Sequence, residues 1–141
     1  MSKRTASVRW VDELVFETQT ESGHRGYLDS FPNEGQTSKG PTPMELLLVA
    51  VAGCTGMDIV DILRKKRLNL TGLEVKVTGT RAETYPMVYT ELDVVYSVRG
   101  KDIPASAVEQ AIKLSEEKYC SVGVMLGKVA KINSRYEIIA E

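Results

Sequence analysis

The segment that most constrains this chain is a long apolar helix with a marked start. Gly40-Pro41-Thr42-Pro43-Met44-Glu45 opens it. Thr42 suits the N-cap, Pro43 the first helical position and Glu45 the third. This is the capping-box arrangement, in which two side chains each satisfy an orphan backbone N–H. The spacing predicts a helix from Pro43 to about Lys66. Its first half, Met44 to Ala52, is apolar nearly all round, which predicts burial on every side, in a core or an interface. Its second half sets Met57, Ile59, Val60, Ile62 and Leu63 against Asp58, Asp61, Arg64, Lys65 and Lys66. The acids precede the bases, as the helix dipole favours, and Asp61 and Lys65 form a favourable i,i+4 pair.

Strand-like patterns flank this helix. Before it, Ser7 to Val11, Leu14 to Thr20 and Tyr27-Leu28 read as a small meander, with Asp12-Glu13 at the first hairpin tip and Glu21-Ser22-Gly23 at the second turn. Pro32 to Gly40 is rich in turn formers and reads as a surface loop. After the helix, Leu73 to Thr80 and Val88 to Val98 alternate strictly, with Leu92, Val94, Tyr96 and Val98 on one face. Thr84-Tyr85-Pro86-Met87 connects them. Pro104 to Lys118 predicts a second amphipathic helix with Val108, Ala111, Ile112 and Ser115 inward. Tyr119 to Leu126 is ambiguous, and Lys131 to Ala140 closes as a strand. The order β-β-β-α-β-β-α-β keeps strands in adjacent runs, which points to an α+β fold with a mostly antiparallel sheet.

A chain of 141 residues is the size of one domain with one core, so residues 1–141 are expected to form a single domain. The net charge of -1, from 18 basic and 19 acidic residues, gives no electrostatic footprint for nucleic acid or an anionic membrane. The most apolar run, Leu46 to Ala52, is short of the roughly 20 residues a bilayer needs. Met1-Ser2-Lys3-Arg4 leads into Thr, Ala, Ser and Arg, with no apolar signal core, so a cytoplasmic location is expected. Two cysteines do not make a secreted disulfide scaffold.

Those cysteines are the candidate chemistry. Cys54 lies between Gly53 and Gly56, and each glycine within a helix costs about 1 kcal/mol relative to alanine. Close approach of another helix would offset that cost, and so would access to a thiol in a tight pocket. The plainer reading is a buried small residue at a helix crossing. Cys120 ends the second predicted helix, where the dipole gives a thiolate no help. Cys54 is the less disfavoured nucleophile of the two. His24 is the only histidine, and its spacing from the cysteines matches no metal motif. No phosphate loop, dinucleotide fingerprint or nucleophile elbow appears.

Gly40-Pro41-Thr42-Pro43-Met44-Glu45-Leu46-Leu47-Leu48-Val49-Ala50-Val51-Ala52-Gly53-Cys54-Thr55 resembles the central-helix motif of the osmotically inducible protein C and organic hydroperoxide resistance (OsmC/Ohr) family. Glu117-Lys118-Tyr119-Cys120-Ser121-Val122 resembles its second-cysteine motif, and Met44-Glu45-Leu46 with Gly53-Cys54-Thr55-Gly56-Met57-Asp58 is similar to the OsmC-like branch. The resemblance implies an intertwined homodimer with a long buried central helix and two sites at the subunit interface. It implies reduction of an organic hydroperoxide with no metal or organic cofactor. Cys54 would be the peroxidatic thiol, Cys120 the resolving thiol that closes a disulfide, and a dithiol the final reductant.

Two positions depart from the peroxidase pattern. Those proteins carry a glutamate directly after the proline, where it orients an arginine over the thiolate. Here Met44 holds that place and Glu45 follows, turned by about 100°. Glu45 is the candidate catalytic glutamate that the resemblance leaves, but it lies about 13.5 Å of helical rise from Cys54, so on one straight helix only the cap is within its reach. Arg25, or else Lys39, is the candidate cation. Asp58 lies four residues beyond Cys54 on the same helical face, where a carboxylate works against a thiolate. Two other readings therefore stand beside the peroxidase: a dimer that binds a small apolar ligand without turnover, and a structural dimer with inert cysteines.

Overall fold

A computed structural model describes residues 2–141. They gather into two compact units, one ending at Leu47 and the other spanning Leu48–Glu141.

In the N-terminal unit, β1 (Ala6–Asp12), β2 (Val15–Thr20) and β3 (Arg25–Leu28) form the expected antiparallel meander in that order. The first hairpin turns at Glu13 and Leu14, one residue later than the sequence suggests. Glu13 takes φ 49°, and Trp10 Nε1 donates to its carbonyl at 2.8 Å. The loop after β3 is tied at its base by Asp29. Its carboxylate accepts the N–H of Lys39 at 3.0 Å and of Ser30 at 2.7 Å, and these bonds hold it below the usual carboxylate range. The Asp29 N–H donates to the Pro41 carbonyl at 3.1 Å. Gly40 passes so close to Tyr27 that a β-carbon would lie 2.2 Å from its carbonyl oxygen.

The long helix α1 (Pro43–Lys65) begins in this unit and continues into the next. Its capping box forms as the sequence predicts. Glu45 N–H donates to Thr42 Oγ1 at 3.0 Å, and Thr42 N–H donates to Glu45 Oε1 at 2.9 Å.

In the C-terminal unit, β4 (Asn69–Arg81) and β5 (Tyr89–Lys101) form an antiparallel hairpin. The last strand, β6 (Lys131–Ala140), pairs parallel to β5, giving the order β4-β5-β6. The expectation of mostly antiparallel pairing thus holds, with the β5–β6 pairing as the parallel exception. A parallel partner needs a crossover, and a helical segment supplies it. That segment is not one helix. It comprises α2 (Ala105–Leu114), a π turn (Ser115–Tyr119) and α3 (Ser121–Leu126). The core sits between β5 and the helices. Val94, Tyr96 and Val98 face it, and Ile59 and Leu63 of α1 and Val108 and Ala111 of α2 pack there; Leu92 of β5 is buried as well.

The inward stripe of α1 is Val51, Thr55, Ile59 and Leu63, every fourth residue. Burial on all sides is not reached within one copy of the chain, since Val49 is 62% and Met57 75% exposed. The helix has the predicted extent, and its apolar character continues beyond the Leu46 to Ala52 run. An 18-residue window within Pro43–Lys65 has a mean hydropathy of 2.0, so by length and composition alone the helix is able to cross a bilayer. Its inward stripe is nevertheless committed to a folded core, and Asp58 on the same helix is hydrogen-bonded within the unit.

Candidate active site

Cys54 stands beside the inward stripe of α1 and is half-buried, whereas Cys120 is fully buried; both thiols are free. The π turn brings Cys120 inward. In it the Cys120 N–H donates to the Ser115 carbonyl, five residues back, at 2.7 Å. On a regular α-helix such residues point about 140° apart. The wider turn leaves both Ser115 and Cys120 with no exposed surface. Cys120 then leaves the helix with φ -78° and ψ 92° and becomes the N-cap of α3, where its Sγ accepts the Gly123 N–H at 3.2 Å. The sequence places Cys120 only at the end of a helix; the structure also places it at the start of another.

The side-chain ligand atoms of Cys54, Asp58 and Cys120 all lie within 4.8 Å of one another. A disulfide is about 2.05 Å long, so its formation asks the sulfurs to close by at most about 2.7 Å. The environment of Cys120 holds its proton. Burial pushes the thiol up to about 12, helped by a hydrogen bond with Cys54; the Gly123 N–H pulls the other way, and the charges of Cys54 and Asp58 add smaller upward pushes. None of these groups is a cation. Two sulfurs and a carboxylate are a donor set that a thiophilic ion accepts. A ligating cysteine is a thiolate, so binding such an ion would have to displace the Cys120 proton.

Behind the cluster runs a buried chain of hydroxyls. Ser115 Oγ donates to Asp58 Oδ2 at 2.8 Å and lies 2.8 Å from Thr55 Oγ1. Thr55 Oγ1 lies 3.1 Å from Tyr96 OH, which donates to Glu116 Oε2 at 2.6 Å. Burial and the Glu116 hydrogen bond hold the Tyr96 hydroxyl well above the ordinary tyrosine range. The residues come from α1, β5 and the π turn. A small cavity of about 30 Å³ lies among Thr55, Tyr96, Glu116 and Cys120. Sequence reasoning places Tyr96 and Ser115 on inward faces and leaves them without a role. The available signal was polar residues at core-facing positions.

Within one copy of the chain, no other helix approaches the two glycines beside Cys54. A β-carbon at Gly53 would meet nothing within 4 Å, and one at Gly56 would touch only Val75 and Leu73 of β4, at 3.4 and 4.0 Å. Both glycines line an open apolar groove of about 750 Å³ with Val49, Met57 and Val60. Of the other candidate residues, Glu45 has its carboxylate in the helix cap. Arg25 is exposed on β3, opposite Gln19. Both fall in the N-terminal unit, whereas Cys54 and Cys120 belong to the other.

A model described as OsmC-like protein matches residues 35–135. The chain is 42% identical over 135 residues to Protein YhfA of Escherichia coli K12, a match covering 96% of this chain and 98% of that one. The crystal structure of a hypothetical protein from Aquifex aeolicus VF5 superposes with a TM-score of 0.89 at 32% identity, covering 100% of this chain and 99% of that one. The organic hydroperoxide resistance protein OhrB of Bacillus subtilis superposes at 0.62 and 17% identity, over 98% of both chains; at that identity the likeness concerns the fold alone. Two inward-facing cysteines on an α+β frame, one on the central helix and one on the crossover, define a class of thiol protein. The chain belongs to the OsmC-like protein family.

Proposed function

We propose that the chain is a thiol peroxidase that reduces organic hydroperoxides. The observation that carries this reading is the unequal pair of sulfurs within 4.8 Å: Cys54 half-buried, Cys120 fully buried and held protonated. Cys54, as thiolate, attacks the peroxide oxygen. One alcohol leaves and Cys54 becomes a sulfenic acid. Cys120 then displaces the hydroxyl to form the disulfide, and a dithiol reductant restores both thiols. Membership of the family supports peroxide stress defence. The working form is a homodimer in the cytoplasm, with the apolar face of α1 around Val49 and Met57 as subunit interface. Arg25 is the cation assigned to Cys54, with Lys39 as the other candidate.

Stopped-flow consumption of cumene hydroperoxide with a dithiol tests this. A rate in the native protein no greater than that of Cys54→Ser overturns the reading. Arg25→Met should raise KM or lower kcat; an unchanged profile removes Arg25 from the site.

The apolar groove beside Gly53 and Gly56 favours a second reading, a non-catalytic binder of a small apolar ligand. Mass spectrometry of the freshly purified native protein checks it. A stoichiometric lipid-like ligand together with no peroxide consumption would put this reading first. With neither ligand nor turnover, the cysteines are inert core residues.

A further inference from the structure

The hydroxyl chain behind the thiols is one hydrogen short. With Asp58 and Glu116 both ionised, Ser115 donates its only hydroxyl hydrogen to Asp58 and Tyr96 donates its own to Glu116. Thr55 has a single hydrogen for its two contacts, with Ser115 and with Tyr96. Four oxygen–oxygen contacts thus share three hydrogens. A proton added at Asp58 completes the set: Asp58 donates to Ser115, Ser115 to Thr55, Thr55 to Tyr96 and Tyr96 to Glu116. Each hydroxyl then donates once and accepts once.

We infer that Asp58 is the acid–base catalyst of disulfide closure and that this chain holds the proton while Asp58 carries it. The inference rests on the peroxidase reading. Cys120 must lose its proton to become a nucleophile. Asp58 has an oxygen within 4.8 Å of both sulfurs, near the thiol that must lose a proton and near the sulfur that would carry the leaving group. As Asp58 takes the Cys120 proton, the thiolate electron pair forms the S–S bond with Cys54. The Cys54 S–O bond breaks, the pair leaves with oxygen, and Asp58 returns the proton to release water. Cys120 sulfur is oxidised, the sulfenic sulfur is reduced, and no net proton is lost. The residues have been placed for this by three elements: α1 carries Asp58 and Thr55, β5 carries Tyr96, and the π turn carries Ser115 and Glu116. Asp61, Lys65 and Lys66 line the recess in front of Asp58; Lys113, Glu117 and Arg135 line the one in front of Glu116. Ser134 Oγ also donates to Glu116, at 3.1 Å.

The test is single-turnover disulfide closure in the full-length reduced protein, with cumene hydroperoxide in one arm and diamide in the other. Samples are quenched with N-ethylmaleimide and weighed by mass spectrometry. Asp58→Asn, which keeps an acceptor for Ser115, should slow closure by ~100-fold at pH 7. The lost rate should return as pH rises and solvent hydroxide takes over. Thr55→Val should slow closure, and Thr55→Ser, which restores the hydroxyl, should recover it. Closure of Asp58→Asn at the native rate overturns the assignment. Equal rates for Thr55→Val and the native protein in thermally stable preparations overturn the role of the chain. If diamide gives the expected pattern while peroxide oxidises nothing, the peroxidase reading falls and the role of Asp58 stands.

Discussion

The Gly123 N–H points at Cys120 Sγ from 3.2 Å, and a β-carbon on Gly123 would lie 3.1 Å from the same sulfur. Cys120 is buried, so its sulfur has little freedom to yield. Gly123→Ala should therefore push the thiol by a few tenths of an ångström and cost about 1 kcal/mol or more, as overpacking does. Urea unfolding checks the stability, and the diamide closure rate checks the displacement. An unchanged midpoint together with an unchanged rate would mean that the turn relaxes freely.

The two thiols should differ sharply towards iodoacetamide. The attacking species is the thiolate. Cys120 is inaccessible and keeps its proton far above neutral pH, whereas Cys54 is partly open to solvent. One thiol per chain should react at least ~100-fold faster than the other at pH 7. Peptide mapping should place the fast label on Cys54, and Cys54→Ser should abolish it. Equal rates would mean that Cys120 is exposed by local opening.

How far the site could be read in advance depended on whether its geometry was local. The Thr42–Glu45 cap and the inward face of β5 follow from spacings within one element, and both form as expected. The π turn does not follow from any such spacing. The stripe through Val108, Ala111 and Ser115 reads as an ordinary helix, and nothing in Glu116 to Tyr119 marks the extra residue. That residue decides where Cys120 points. The hydroxyl chain was hidden for a related reason. Its members come from α1, β5 and the π turn, with the Thr55–Ser115 and Thr55–Tyr96 contacts spanning 60 and 41 residues. The parallel pairing of β6 likewise depends on the crossover route and not on alternation within the strand.

Glu45 offers a test that separates a cap from a catalytic group. Its side chain completes a reciprocal pair of hydrogen bonds with Thr42. Glu45→Ala should lower stability by about 1 kcal/mol, and Glu45→Gln should lose much less because an amide oxygen accepts the same N–H. Thermal unfolding measures both. Peroxide turnover in Glu45→Gln should match the native protein, since the carboxylate is committed to the cap. A large loss of turnover at unchanged stability would return Glu45 to the active site.

The raised Cys120 thiol should also appear in stability against pH. The folded protein binds this proton more tightly than the unfolded chain does, because burial and Cys54 disfavour the thiolate. The contribution is therefore fully present below the unfolded value of 9.0. It is lost as pH rises towards the folded value of about 12. Native protein should lose stability across that window more steeply than Cys120→Ala, which has no such group to ionise. Urea midpoints at intervals from pH 8 upward provide the comparison, and the difference between the two proteins removes the lysine and tyrosine titrations they share. Oxidation should erase the difference in slope as well, since a Cys54–Cys120 disulfide has no thiol proton to lose. Parallel curves for reduced native protein and Cys120→Ala would show that Cys120 meets the same environment folded and unfolded, contrary to its burial.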